Sequence, residues 1–302
     1  PMVQKLTLDS LRYWTEELQI DGYRFDLAAT LARDEHNHFN KEHPLLKAMQ
    51  SDPIISQAKL IVEPWDVGMG GWQTGNFPPG FPEWNDRYRD SVRKFWLADI
   101  SQARNNGNHS NGVQELAGRI SGSQDLMNER QGPNAGVNFI TAHDGFTLWD
   151  LVSYSVKHNS ANGEGNRDGA NHNISFNHGF EGETPNPSIS YARRKAARNL
   201  MGTLLLSAGV PMITAGDERL KTQGGNNNAY CQDNVITWQN WDPGSHQLDF
   251  EKTVSHLIAL RKQYPALRPR DFTKVDEPTP EHDQMLWFSV RGDEMSIDDW
   301  HN

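Results

Sequence analysis

Lys59-Leu60-Ile61-Val62-Glu63 is an apolar run that ends on an acid, and the fold turns on how it is read. Short runs with β-branched side chains form strands. Upstream, the Asp21-Gly22 turn leads into a second such segment, Tyr23-Arg24-Phe25-Asp26-Leu27, preceded by Leu8, Leu11, Trp14, Thr15 and Leu18 at helical spacing, which predicts an amphipathic helix over residues 5 to 19. Downstream the alternation continues: helical over 88 to 97, a strand over 136 to 141, a helix over 192 to 207, a strand over 210 to 214 and a helix over 250 to 264, stopped by Pro265. Strands alternating with helices imply a parallel sheet with helical crossovers. An open nucleotide-binding sheet would carry a Gly-rich turn, and neither G-x-G-x-x-G nor G-x-x-x-x-G-K-[ST] occurs, so no cofactor motif is present. Acids close several of the strands instead. A (β/α)8 barrel builds its site from strand ends at one face, and that is the fold class expected.

The chain has 302 residues with 36% hydrophobic and 10% aromatic side chains, 10 Trp and 12 Phe among them, enough to bury a sizeable core. Charge is −10 without a basic block, which disfavours nucleic acid and anionic membranes as partners. The longest nearly apolar stretch, 204 to 216, contains Pro211 and is too short to span a bilayer. A single cysteine, Cys231, rules out an internal disulfide framework and fits a reducing, cytoplasmic setting. Pro1-Met2-Val3 stands directly before a helical pattern and Trp300-His301-Asn302 stops in mid-pattern, so a fragment is expected: residues 1–268 from a barrel and 269–302, with Met285 to Val290 extended, opening a C-terminal β domain.

The chemistry-bearing residues are acids at strand ends. Arg24 and Asp26 lie two apart and share a face, while Tyr23 and Phe25 point the other way toward the helices. Glu63 follows Leu60-Ile61-Val62 and precedes Pro64-Trp65, so partial desolvation should favour its neutral form. Asp144 follows His143 after the strand beginning at Val137. Each alone is equally a cap or a structural ion pair. Together they fit a retaining glycosidase, which needs a carboxylate nucleophile and a carboxylic acid about 5 Å apart. Residues 66 to 87, rich in Gly, Pro and Trp, read as a long loop; Trp65, Trp72, Phe77, Phe81 and Trp84 crowd the stretch after Glu63, and flat rings suit the apolar faces of sugars.

Asp21 to Ala28, Glu63-Pro64-Trp65 and Thr141-Ala142-His143-Asp144-Gly145-Phe146 resemble, in order and spacing, three characteristic segments of the α-amylase superfamily. Gly75 to Pro79, Asn162 to Gly169, Ala215-Gly216-Asp217-Glu218 and Gly225 to Asp233 look like bacterial glycogen debranching enzymes of the isoamylase type. The resemblance implies hydrolysis of α-1,6 branch linkages in glycogen or its limit dextrins with retention. Asp26 would be the nucleophile, Glu63 the general acid/base and Asp144 the transition-state stabiliser. Arg24 would keep the nucleophile ionised, His143 would bind a sugar hydroxyl and Trp65 would line the substrate. The family's Asn-His strand segment ahead of the nucleophile and its N-terminal β-sandwich have no match here, so about strands four to eight are expected, with little activity from these residues alone.

Other readings are weaker. His36, His38 and His43 share one loop without a spacing that converges on zinc. The insert over 158 to 179 holds six Asn and four Gly, and Glu164, Asn166 and Asp168 before Gly169 mimic a calcium loop, but Ser175 stands where the bidentate acid belongs. A superfamily member acting on α-1,4 or maltooligosyl-trehalose bonds, or a glucan-binding pseudoenzyme, remain as alternatives.

Overall fold

The N-terminal amphipathic pattern folds as helix α1, Met2–Glu16, in the computed structural model, which describes residues 2–107, 112–127, 132–272, 285–296 and 298–300. The chain divides into two units: Pro1–Asp86 with Gly122–Val137 and Arg270–Phe272, and Arg87–Ser121 with Asn138–Pro269 and Thr273–Asn302.

In the first unit α1 buries Leu11 and lays Leu8 on a core of Ala28, Leu46, Met49, Ile55, Leu60 and Phe81. Strand β1, Gly22–Phe25, pairs in parallel with β2, Lys59–Val62, with Arg24 opposite Ile61 and Phe25 opposite Val62. Tyr23 leans toward α1 as its alternation requires, and its hydroxyl donates to the Leu11 carbonyl at 2.8 Å. Gly22 is needed at the start of β1: a Cβ there would stand 2.7 Å from the backbone oxygen of Lys59. Helix α2, Pro44–Ser51, bridges the strands, with Pro44 at its first turn and the His43 ring accepting the Leu45 N–H at 3.3 Å.

A third strand, β3 (Glu83–Asn85), pairs in parallel with β2 through Val62 and Glu83. Residues 66 to 87 therefore are not all loop, which corrects the sequence expectation. Glu83, Trp84 and Asn85 are all buried, yet two of the three are polar, so no apolar run marks the strand. Loops satisfy them: the Glu83 carboxyl accepts N–H groups of Gly75 at 2.5 Å and Phe77 at 3.2 Å, and Asn85 donates to Ser123 at 3.0 Å.

The second unit takes up the chain in α3, Asp86–Arg93, which runs through a π-type turn at Lys94–Ala98 into α4, Asp99–Asn106. There follow α5 (Val113–Ile120), β4 (Gly136–Phe139, where the two units meet in sequence), the one-turn α6 (Leu148–Leu151), α7 (Pro187–Leu206), β5 (Val210–Met212) and α8 (Ser245–Gln263). Within each unit the strands neighbour one another in chain order. Tyr88, Leu97, Phe146, Leu200, Leu204 and Phe250 form the second core. Helix α7 starts five residues before the expected Ala192, because Asn186 caps it and Pro187 opens it. Its C-terminal carbonyls are met from α8: Arg261 donates to Leu205 at 3.0 Å and Ser207 at 2.6 Å, and also to Gly209.

Within the Asn-rich insert a cation gathers backbone carbonyls. The Lys157 ammonium donates to the carbonyls of Arg167, Asp168 and Gly169 at 3.1, 2.8 and 3.1 Å. Asp168 accepts amide N–H from Asn162 at 2.7 Å and Asn228 at 3.0 Å. Among the described residues no group of three or more His, Cys, Asp or Glu side chains is placed to hold a metal ion, and none of the helices is long and apolar enough to cross a membrane. Near the C-terminus Phe288 makes an isolated antiparallel bridge with Glu294, while residues 273–284 and His301-Asn302 lie outside the described residues.

Candidate active site

The β1–β2 register decides where the first acids go. Phe25 opposes Val62, and the Glu63 N–H continues the ladder to the Phe25 carbonyl at 3.0 Å, so Asp26 and Glu63 leave the ends of adjacent parallel strands together. Arg24 joins them: its guanidinium pairs with Asp26 at 2.5 Å through Nη1 and with Glu63 at 3.0 Å through Nη2, while stacking 4.3 Å above the Trp84 ring. Two carboxylates thus share one cation. Leu27 takes a left-handed conformation, φ 43°, which turns its N–H toward Glu63 Oε2 at 2.8 Å.

Their environments differ. The Asp26 side chain is 70% exposed and the Glu63 side chain 10%. Burial raises the Glu63 pKa above its ordinary value against the opposing help of the Leu27 N–H and Arg24, and the neighbouring Asp26 charge raises it further. Shielding comes from the protein body as a whole; the Asp26 charge is a lesser cause. One acid is therefore shifted toward its neutral form beside one that water can reach. Among the loop aromatics, Phe77, Phe81 and Trp84 are buried, and Trp72 donates to Asp86 at 2.7 Å. Trp65 is half-buried just beyond Glu63, its N–H turned back to the Glu63 carbonyl at 2.9 Å.

His143 and Asp144 belong to the second unit and are exposed there. Asp144 lines a cavity of about 350 Å³ with Arg89, Arg93, His172, Asn227 and Asn228. The loop that carries both residues is fastened at its two ends by one buried acid. Asp217 accepts the Thr141 hydroxyl on one side and the Leu148 N–H, at 2.9 Å, on the other, and the Gly145 N–H donates to Asn227 at 2.8 Å. Burial drives Asp217 up to about 7. Asp150 is pushed up to about 6 by the same cause and held by Thr222 and the Gln223 N–H. Arg93 sits in the cavity wall, lowered to about 9 by burial and donating to the carbonyls of Ile140 at 2.6 Å and Asn173 at 3.1 Å. Sequence reasoning missed Arg93 and Asp150 and used Asp217 only as part of a resembling stretch. A cation inside a helix and acids far from the loop they serve leave no local signal.

No protein-family model matches the chain. It is 47% identical over 296 residues to a glycogen debranching enzyme from Erwinia tasmaniensis, an alignment covering 97% of this chain and 42% of that protein. A glycogen operon protein GlgX homolog from Mycobacterium bovis is 45% identical over 305 residues, covering 99% and 40%. Among solved structures, a pullulanase from Anoxybacillus sp. LM18-11 complexed with maltotetraose superposes with a TM-score of 0.59 at 27% identity, over 88% of this chain and 34% of that one. The chain thus spans about two fifths of the length of the curated relatives it matches. With this identity along nearly its whole length, the chain belongs to the family of the bacterial glycogen debranching enzymes.

Proposed function

We propose that the complete protein is a retaining glycoside hydrolase that cleaves α-1,6 branch linkages in glycogen or limit dextrins, and that Asp26, Glu63 and Asp144 carry the chemistry. The observation that supports this best is the single guanidinium of Arg24 shared by an exposed Asp26 and a buried Glu63 of raised pKa. Asp26, paired with Arg24, attacks the anomeric carbon as the C–O bond to the leaving chain breaks; Glu63 gives its proton to the departing oxygen and then removes one from the water that releases the glycosyl group. Asp144 stabilises the positive charge that develops on the sugar, His143 binds a hydroxyl and Trp65 flanks the ring. The relatives are named for debranching, and the pullulanase was solved with maltotetraose, which supports a branched α-glucan as substrate. Five strands in chain order fit the later part of a (β/α)8 barrel, about strands four to eight, and the Phe288–Glu294 bridge fits a β domain opening within residues 269–302. A cytoplasmic location is part of the same reading.

Asp26→Asn in the complete protein tests the assignment. Release of linear chains from a branched glucan should fall below detection while glucan binding and the unfolding midpoint stay near those of the parent, since the amide keeps the shape but cannot attack. Turnover close to the parent's would remove Asp26 from the nucleophile role.

A further inference from the structure

In the second unit a cavity of about 370 Å³ opens between α4, α7 and the loop before α7, and it takes no part in the proposed chemistry. His178 lines it. That residue is 91% buried, and neither ring nitrogen has a hydrogen-bond partner, although a buried imidazole left bare is costly. The ring is fixed in place: it lies 4.5 Å from the Phe176 ring, and the loop around it is tied down by Arg193, which donates to the carbonyls of Asn177 at 2.9 Å and Gly182 at 2.6 Å and to that of Phe180. Arg104 from α4 and Lys195 from α7 also line the cavity, with no acid beside them, and neither makes an ion pair with another described residue. In a chain of net charge −10, two free cations at one cavity are conspicuous. Ile100 and Ala192 supply an apolar floor, and the Tyr191 ring stands exposed at the rim.

We infer that this cavity is a binding site for a small phosphate monoester of a sugar, with the phosphate held between Arg104 and Lys195, a hydrogen bond from His178, and the carbon face of the sugar against Tyr191 and the apolar floor. The chemistry selects this class. Two cations beside a donor suit a compact anion, an apolar floor with a ring suits a pyranose face, and the volume lies at the lower end of small-molecule pockets. Burial and the positive field of Arg104 and Arg193 lower His178 to about 4, so the ring is neutral and free to offer one N–H at neutral pH.

Calorimetric titration of the complete protein with glucose 6-phosphate, inorganic phosphate and glucose tests the site. Glucose 6-phosphate should bind saturably, with glucose and inorganic phosphate each about tenfold weaker or more because each leaves half of the site unused. His178→Phe keeps the ring stack on Phe176 and removes the donor, and Arg104→Ala/Lys195→Ala changes only exposed side chains. Each should weaken glucose 6-phosphate about tenfold or more without moving the unfolding midpoint. Absence of saturable binding, equal binding of glucose or of inorganic phosphate, or unchanged affinity in the double variant would each overturn the inference, and the double variant decides it even if His178→Phe fails to fold.

Discussion

In the first unit three arginines meet carboxylates: Arg12 pairs with Asp52 at 2.6 Å, Arg33 with Asp66 at 2.6 Å, and Arg24 with both Asp26 and Glu63. In the second, Arg93, Arg193 and Arg261 are buried against backbone carbonyls, and the buried acids Asp150 and Asp217 are held by hydroxyls and backbone N–H groups. Glu83 is the exception in the first unit, fastened only by N–H groups and pushed up to about 8. The contrast separates two uses of charge. Opposite charges within reach hold Asp52 and Asp66 below the ordinary carboxylate range. A lone buried ion on carbonyls or amides instead organises irregular backbone, which the second unit has in quantity, and its cost is met by several hydrogen bonds at once.

The largest expected effect lies at the shared cation. Glu63→Gln in the complete protein should lower kcat about 10²–10⁴-fold, and the basic limb of the pH–rate profile should flatten, since that limb reports loss of the Glu63 proton. An unchanged basic limb in the residual activity would assign the acid elsewhere.

Next comes a pair of arginine variants, one from each unit, compared by unfolding at several pH values. Arg193→Met strands the carbonyls of Asn177, Phe180 and Gly182 and should cost about 3 kcal/mol throughout the range above pH 7, where the carbonyls do not titrate and His178, which Arg193 also lowers, is neutral. Arg33→Met removes the guanidinium that holds Asp66 at about 2. A depressed acid adds stability above its unfolded pKa and loses it as pH falls through the folded one, so this variant's deficit of about 2 kcal/mol should shrink between pH 4 and 2. Equal pH dependence in the two would erase the distinction between the units.

Asp217→Asn sharpens it from the other side. With Asp217 at about 7 in the folded state, the unfolded chain gives up this proton first, so its contribution to stability falls as pH rises from about 4 to 7. Asn can still accept the Leu148 N–H and donate to Thr141, so the variant should lack that decline and gain on the order of 2 kcal/mol over the parent at pH 7. A parallel pH profile would show that Asp217 titrates normally. The smallest effect is Lys157→Met, which should cost about 1 kcal/mol and admit protease cleavage within residues 158–170 first, as the three carbonyls lose their donor.

Where the sequence was readable, the reason was local. Tyr23 and Phe25 alternate with Arg24 and Asp26, and the structure keeps that division, with Tyr23 on α1 and Arg24 on the carboxylates. The calcium-like spacing of Glu164, Asn166 and Asp168, set aside because Ser175 stands where an acid belongs, gave no sign of the cation that the loop does enclose: Lys157, ten residues before the nearest carbonyl it binds. β3 stayed hidden because Glu83 and Asn85 look like loop residues until Gly75, Phe77 and Ser123 come round to satisfy them.

By itself the sequence determined the helix and strand alternation, the placing of Asp26 and Glu63 at strand ends and the family, because side-chain periodicity and motif order are properties of neighbours along the chain. The tertiary structure alone decided that Arg24 serves both carboxylates, that burial more than Asp26 raises Glu63, and that Asp217 fastens the loop of Asp144 from 69 residues beyond Leu148. Desolvation and long-range hydrogen bonds exist only once distant segments have met, so no window of sequence contains them.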